Sequence, residues 1–423
     1  MDIAATLAAE LGAHLIHADA ATIAAHAVHG ALPLCVVAPE TIEQLQTAVR
    51  LCRDARATIV PWGGGTQQLI GGPLTRQPFV AIATPELRRV LIHEPDDLTI
   101  SVEAGIALSS LTTHLGRFGQ SLPIDAPLPE RATIGGLIAT ATDGPRRLGY
   151  GTLRDLLIGI AVVELDGTIS RGGGMVVKNV SGFDMMKLYL GSLGSLAIIV
   201  SANFKLLPAP RRAATVLARF VSRDAAFAAI DGLASTQLTP SAAEYLSPAA
   251  SAAIGLGDSH ALALRAEGLA AAVERHLMDL TALCIDQSGA MERLEDDAAL
   301  WRQIADLPQT ADLADDEAVV KLSTLPGDLN GLLAQIETLA PGAPVLARAL
   351  SGVAYLRLAS TTAHQIAAIV ATGAAQWVAT PLADAPRWGT LGGGTEVMRR
   401  IKREFDPNGL LNPGRCVVDE VTG

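Results

Sequence analysis

The chain has 423 residues, 49% of them hydrophobic and 18% charged, with a formal net charge of −11. That length allows two or three domains with cores of their own, and the apolar content excludes a disordered chain. The acidic balance argues against a nucleic-acid partner, which requires a basic field.

The opening stretch "MDIAATLAAELGAHL" contains Asp2 and Glu10 and no Lys or Arg, so it is not read as a secretory leader. No apolar run approaches the ~18 residues that a bilayer crossing needs. Cys35, Cys52, Cys284 and Cys416 are scattered and form no C-x-x-C pair. Two disulfides fit the count, but free buried thiols in a cytoplasmic protein are the expectation, and a four-cysteine iron–sulfur site in the usual spacing is not available.

In chain order, "PLCVV" reads as a strand. Thr41 and Gln44 then form a capping-box pattern before a helix whose apolar face is Ile42, Leu45, Val49 and Cys52. "ATIVP" is the next strand, which makes a βαβ-like unit. It runs into "PWGGGTQQLIGG", with five glycines in twelve residues. "PFVAIAT" is a further strand. In "DDLTISVEAG" Leu98, Ile100 and Val102 alternate with Thr99, Ser101 and Glu103, as in a strand with one wet face. "ALSSLTTHLGRFGQ" is a short helix, and "LLIGIAVVELDGTIS" is two strands joined by an Asp166-Gly167 turn. From 196 to 207 apolar and polar residues alternate again, which predicts a strand with one buried face.

"LPAPRRAA", around 207 to 214, marks a boundary. Beyond it, strand-like runs ("ATVLARF", "HALALRAEG", "EAVVKLSTL", "PVLARAL", "GVAYLRLA") alternate with alanine-rich helical runs. The expectation is α+β throughout: a glycine-rich domain over 1–209, an α+β cap of antiparallel strands and helices over 210–385, and a helix and tail over 386–423. In that last helix, 394–405, Arg399, Arg400, Lys402 and Arg403 read as one solvated face.

The glycine loop matches neither familiar nucleotide loop. G-x-G-x-x-G from Gly63 would need glycine where Gln68 stands, and no lysine occurs in 57–86 for a P-loop. Successive glycines can nevertheless turn their N–H groups into a concave anion nest. Hydrogen bonds to a charged acceptor contribute roughly 1.5–3 kcal/mol each, so a few such donors hold a diphosphate without a lysine. Thr66 adds a hydroxyl, and Gly64 is expected at positive φ.

Five blocks, "VPWGGGTQQLIGG", "DDLTISVEAG", "LPIDAPLPERATIGGLIATATDGPRRLGYGTLRDLLIGIAVVELDGTI", "KNVSGFDMMKLYLGSLGSLAIIV" and "FDPNGLLNPGR", together resemble the vanillyl-alcohol-oxidase / p-cresol-methylhydroxylase (PCMH) type of FAD-binding protein. Within it they are similar to the E-subunit group of bacterial glycolate oxidases. The resemblance is dense over 33–210, clear in the tail and only outlined in the cap. It implies a two-subdomain PCMH-type FAD-binding domain. Pro61, Gly63, Gly64, Gly65 and Thr66 would hold the pyrophosphate, and Pro127, Thr133, Gly135, Gly136 and Thr140 would line the opposite side. Gly144, Arg146 (with Arg147 as an alternative) and Gly151 would continue that wall. Gly194 and Ile198 would complete it, and Asn412 would return from the tail.

Two departures matter. Segments 53–92 and 115–210 contain no His or Cys, so a non-covalent FAD is expected. The cap has His260, His276 and His364 but no close histidine pair, so no metal site is expected and the catalytic residues stay unassigned. Arg265, Arg348, Arg357 and Arg387 are possible substrate anchors, each read as a strand-edge or surface charge. The resemblance implies an FAD-binding subunit that supports oxidation of glycolate or a related 2-hydroxy acid. A catalytic FAD-containing subunit and an iron–sulfur subunit would be its partners, and any contact with the inner membrane would come through them. The alternatives are a free-standing FAD-dependent 2-hydroxy-acid dehydrogenase and a non-catalytic flavin-binding subunit.

Overall fold

The computed structural model describes residues 2–176, 183–285, 290–362, 375–382, 387–389 and 393–418. Its first sheet runs, in spatial order, Ile16–His17, Pro33–Val37, Phe79–Ala83, Thr58–Trp62. The last three strands are parallel, as a βαβ crossing requires. The crossing helix, Ile42–Asp54, begins on the expected capping box, and Leu45, Ala48, Val49 and Cys52 form its buried face. Thr58–Trp62 lies at the sheet edge, where Pro61 can sit without removing a central ladder bond.

That edge is covered by the C-terminal tail. The Ile59 N–H donates to the Leu410 carbonyl and the Asn412 N–H donates to the Ile59 carbonyl, both at 2.8 Å. The tail is thereby a parallel extension of the sheet, and it blunts an edge that would otherwise present unpaired backbone groups.

The second sheet is antiparallel, in the order Val90–Glu94, Thr99–Glu103, Ile198–Lys205, Leu157–Val163, Ile169–Gly173. Ile198, Val200, Ala202 and Phe204 are buried, while Ser201, Asn203 and Lys205 are only partly covered, as the alternation predicts. Thr99–Glu103 corrects the other reading of alternation: all five of its residues are buried. The strand is internal to its sheet, and the Arg89 backbone N–H and guanidinium both donate to the Glu103 carboxylate. Leu98 falls outside it, at φ 52°. Alternation reports the pleat, and the neighbours decide whether the polar face meets water.

The third sheet takes its eight strands from residues 212 to 379, in the order Ala290–Leu294, Arg212–Phe220, His260–Gly268, Ala242–Leu246, Val345–Arg348, Val353–Ala359, Glu317–Ser323, Ala375–Ala379. Every pair in it is antiparallel. The helices Arg223–Ala234 and Ala270–Ile285 bury Phe227, Ile230, Val273 and Leu277 in one apolar cluster with its strands. Leu300, Trp301 and Ile304 of the helix Ala298–Asp306 belong to a second cluster. The architecture is α+β. All four cysteines are buried and none is bridged.

The helix Thr395–Phe405 is not a wholly solvated basic face. Lys402 is buried, and its ammonium donates to the Ser195 and Leu411 carbonyls at 2.8 Å and to the Asp406 carboxylate at 2.6 Å. Asp406 in turn accepts the N–H groups of Leu410 and Leu411. One ion pair thus fastens helix, tail and the turn at Ser195. Lys402→Met removes one partner of a buried pair and is expected to cost about 3–5 kcal/mol. Denaturant melts of the wild-type and variant proteins read that loss.

Candidate functional site

The edge strand delivers the chain into the glycine loop, and the loop forms one wall of a cleft holding about 780 Å³ of empty space. Among the described residues, the backbone N–H groups of Gly63, Gly64, Gly65 and Thr66 reach no acceptor within the protein. Four consecutive free donors in a glycine run make the nest that the sequence suggests. The positive φ falls on Gly65, at +68°, and not on Gly64. Gly64 is required for a different reason: a Cβ there would lie 1.7 Å from the Arg131 carbonyl oxygen, so the two chain segments can approach only without a side chain.

Twelve of the proposed residues line this cleft together: Pro61, Gly63, Gly64, Gly65, Thr66, Thr133, Gly135, Gly136, Thr140, Gly194, Ile198 and Asn412. Ile70, Leu137, Leu193 and Ala197 add apolar wall. Asn412 donates its amide N–H to the Leu193 carbonyl, while its Oδ1 is buried with no donor. Among the described residues, no His or Cys lines the cleft.

Arg415 also lines the cleft, and the sequence reading missed it. Its guanidinium is buried and donates to the carbonyls of Gln68, Ile70, Gly71 and Gly72. Among the described residues it faces no carboxylate. Burial, and then the charge of Arg387, pull its pKa below the usual guanidinium range. Among the described residues no acid compensates this positive charge. The signal was one position past Asn412 and two more, in "NPGR", but nothing local says that a tail arginine is buried.

Free donors, an uncompensated cation and apolar walls together fit a dinucleotide with an anionic centre. Residues 33–173 match the FAD binding domain family, and residues 391–416 match the C-terminal domain of FAD linked oxidases. Residues 33–173 are an FAD-binding domain. The chain is 31% identical over 261 residues to glycolate oxidase subunit GlcD of Bacillus subtilis, covering 60% of this chain and 55% of that protein. It is 32% identical over 207 residues to glycolate oxidase subunit GlcE of Escherichia coli, covering 49% of this chain and 56% of that one. The chain therefore spans about half the length of these curated relatives. The structure of p-cresol methylhydroxylase with substrate bound superposes with a TM-score of 0.78 at 15% identity, over 98% of this chain and 96% of that one. The fold is that of the PCMH-type FAD proteins.

Four of the residues expected at the cofactor stand away from this cleft. Pro127 lines a neighbouring chamber. Gly144 is pressed against Asp125, whose Cβ would lie 2.4 Å from an added Cβ. The Arg146 guanidinium is paired with the Asp125 carboxylate at 2.8 Å. Gly151 caps a short helix at φ +80°. Arg147, the alternative to Arg146, pairs with Asp143. The possible anchors differ too. Arg265 is paired with Asp297 and Glu267, and Arg357 with Glu317. Arg387 is fully buried and donates to the Thr380 and Leu382 carbonyls. His260 bonds the Tyr245 hydroxyl at 2.8 Å, and His364 lies outside the described residues.

Arg348 is in the interior, contrary to the surface reading. It donates to the Asp143 carboxylate, which also takes Arg147 and the Tyr355 hydroxyl. Burial works to raise the Asp143 pKa, but Arg348, Lys321 and Arg147 outweigh it and hold the carboxyl down to about 2. Glu244 has the opposite fate. Burial pushes it up to about 8 against the pull of Arg348, and neither of its oxygens finds a donor.

Arg415→Met should raise the dissociation constant for FAD at least tenfold, since it removes both the spare charge and four carbonyl bonds. Gly64→Val should leave the protein colourless, because the Arg131 carbonyl must move. Flavin-to-protein absorbance ratios after gel filtration measure both. Glu244 binds a proton in the folded state that the unfolded chain, near its ordinary 4.5, releases. Its stabilising contribution is therefore fully present below about pH 4.5 and is lost as pH rises through about 8. Glu244→Gln should flatten the fall of Tm between those limits, a difference on the order of a few kcal/mol.

Proposed function

We propose that the chain is an FAD-dependent oxidoreductase subunit of a glycolate-oxidase-type complex, supporting oxidation of glycolate or a related 2-hydroxy acid to the 2-oxo acid. The observation that carries this is the FAD cleft, in which four free N–H donors and the uncompensated Arg415 face one space. The glycolate oxidase reading is supported by the GlcD and GlcE similarities. Pro61, Gly63, Gly64, Gly65 and Thr66 hold the diphosphate, with Arg415 as counter-charge. Gly135, Gly136, Gly194 and Ile198 shape the opposite wall, and Asn412 Oδ1 accepts a donor of the cofactor.

Bound there, FAD supplies a two-electron acceptor for the carbon being oxidised. The apolar walls exclude water from it, and the tail closes the site from the edge of the sheet. A non-covalent cofactor belongs to the same proposal, supported by the lack of a thiol or imidazole among the described residues that line the cleft. Partner subunits, one of them carrying an iron–sulfur centre, would supply the onward electron acceptor, and the cytoplasm is the compartment this reading assigns. The division into 1–209, 210–385 and 386–423 belongs to the same proposal. It is supported by the eight-stranded sheet, which draws all its strands from 212–379.

Independent turnover needs a base within about 3 Å of the hydroxyl proton, and no histidine is among the described residues that line the cleft or the chamber beside it. Tyr355 is held above the ordinary phenol range, by burial first, and is hydrogen-bonded to Asp143. The purified chain should be yellow and should release intact FAD on acid precipitation. Anaerobic glycolate should leave its flavin oxidised over minutes, with bleaching only after partner subunits are added. Rapid bleaching of the isolated chain would identify a free-standing dehydrogenase instead, and flavin retained in the acid pellet would mean a covalent bond.

A further inference from the structure

A second, small chamber opens off the glycine-loop cleft and shares Thr66, Gln67, Ile70 and Thr140 with it. Its far wall comes from the eight-stranded sheet and carries Lys321. That side chain is nine-tenths buried, yet its ammonium makes no hydrogen bond within 3.5 Å among the described residues. The nearest carboxylate oxygen is Asp143 Oδ2, at 3.8 Å. Both Asp143 oxygens are already taken, Oδ1 by Arg348 and the Tyr355 hydroxyl and Oδ2 by Arg147. The Tyr355 ring lies 5.7 Å from the ammonium, a contact that favours the cation without neutralising it.

The charge count of the cluster leaves a surplus. Arg147, Arg348 and Lys321 all converge on the Asp143 carboxylate, and the burial that raises the Glu244 pKa to about 8 also pulls the Lys321 pKa below the usual ammonium range. A buried ammonium without a hydrogen-bonding anion is costly, and an entering anion relieves that cost. The same chamber is lined by Gln309, whose Oε1 is buried and has no donor. One small space thus holds a spare cationic donor and a spare acceptor. A wider, mostly apolar funnel meets the chamber at Pro308, Gln309 and Tyr355 and gives a route to it.

We propose that this chamber is a binding site for a small 2-hydroxy monocarboxylate, with Lys321 pairing the carboxylate and Gln309 accepting the hydroxyl. The assignment rests on the FAD reading of the adjoining cleft and concerns binding, not turnover. The test uses the full-length holoprotein titrated with glycolate, acetate and ethylene glycol. Perturbation of the visible flavin band and titration calorimetry give two independent readouts.

Glycolate should bind, acetate should bind several-fold more weakly, and ethylene glycol, which has no charge, should not bind. Lys321→Met should weaken glycolate at least tenfold while keeping its flavin content, and Lys321→Arg should restore most of the affinity. Gln309→Leu should erase the preference for glycolate over acetate. Should Lys321→Met fail to fold, the Gln309→Leu and Lys321→Arg proteins still decide the matter. A wild-type protein that binds no glycolate, an unchanged affinity in Lys321→Met, or an unchanged preference in Gln309→Leu would each overturn the site. Glycolate binding that depends on Lys321, with no oxidation after partners are added, would instead overturn the glycolate oxidase reading and leave this site standing.

Discussion

The guanidinium of Arg415 holds the cofactor wall together. A glycine run has no preferred shape, and each of its residues loses more backbone freedom on folding than any other type. Something outside the run must therefore fix it. Arg415 does so by drawing the carbonyls of Gln68, Ile70, Gly71 and Gly72 to one point. With those carbonyls gathered at the guanidinium, the N–H groups of Gly63 to Thr66 are left to face the cleft. The arginine can reach that point only because the tail pairs with the edge strand at Ile59, and the tail lies there because Lys402 pins it at Leu411. The site is thus built by residues that stand some three hundred and forty positions apart in the chain.

Local chemistry was legible in the sequence and charge burial was not. The capping box at Thr41, the glycine loop at a strand's end and the Asp166-Gly167 turn each follow from residues within a few positions of one another, and all three appear in the fold. Glu103, Arg348, Lys402 and Arg415 are charged residues that pattern reasoning assigns to water or leaves out. Each is buried because a partner from another element reaches it: Arg89, Asp143, the Ser195 carbonyl and the glycine-loop carbonyls. Such pairings depend on tertiary approach, and no periodicity carries them. The same limit explains Gly144 and Arg146, whose blocks match a cofactor-binding pattern although both are engaged with Asp125.

Two carboxylates in one buried cluster show how position decides ionisation. Asp143 and Glu244 both neighbour Arg348, and both lose hydration. Asp143 gains direct bonds from two guanidiniums and a phenol, enough to outweigh its desolvation. Glu244 sits 3.6 Å from the Arg348 Nε, with no hydrogen bond to either oxygen, and desolvation wins. At buried sites the hydrogen-bonded pair keeps its charge and the merely adjacent group gives it up.

That outcome sets what the cap can bind. Even with Glu244 ionised, Arg147, Arg348 and Lys321 would outnumber the two carboxylates by one charge. Protonation of Glu244 enlarges that excess, and the cation of the three without a hydrogen-bonded carboxylate is Lys321, where the cluster meets open space. The backbone frame is shared with p-cresol methylhydroxylase at a TM-score of 0.78, although only 15% of residues are identical. A frame so tolerant of side-chain replacement cannot by itself choose a substrate. The choice falls to the few residues of the eight-stranded sheet, and of the loop that follows the helix Ala298–Asp306, that line the chamber. In this chain they present an unsatisfied ammonium and an unsatisfied amide oxygen, the complement of an acid that carries a hydroxyl.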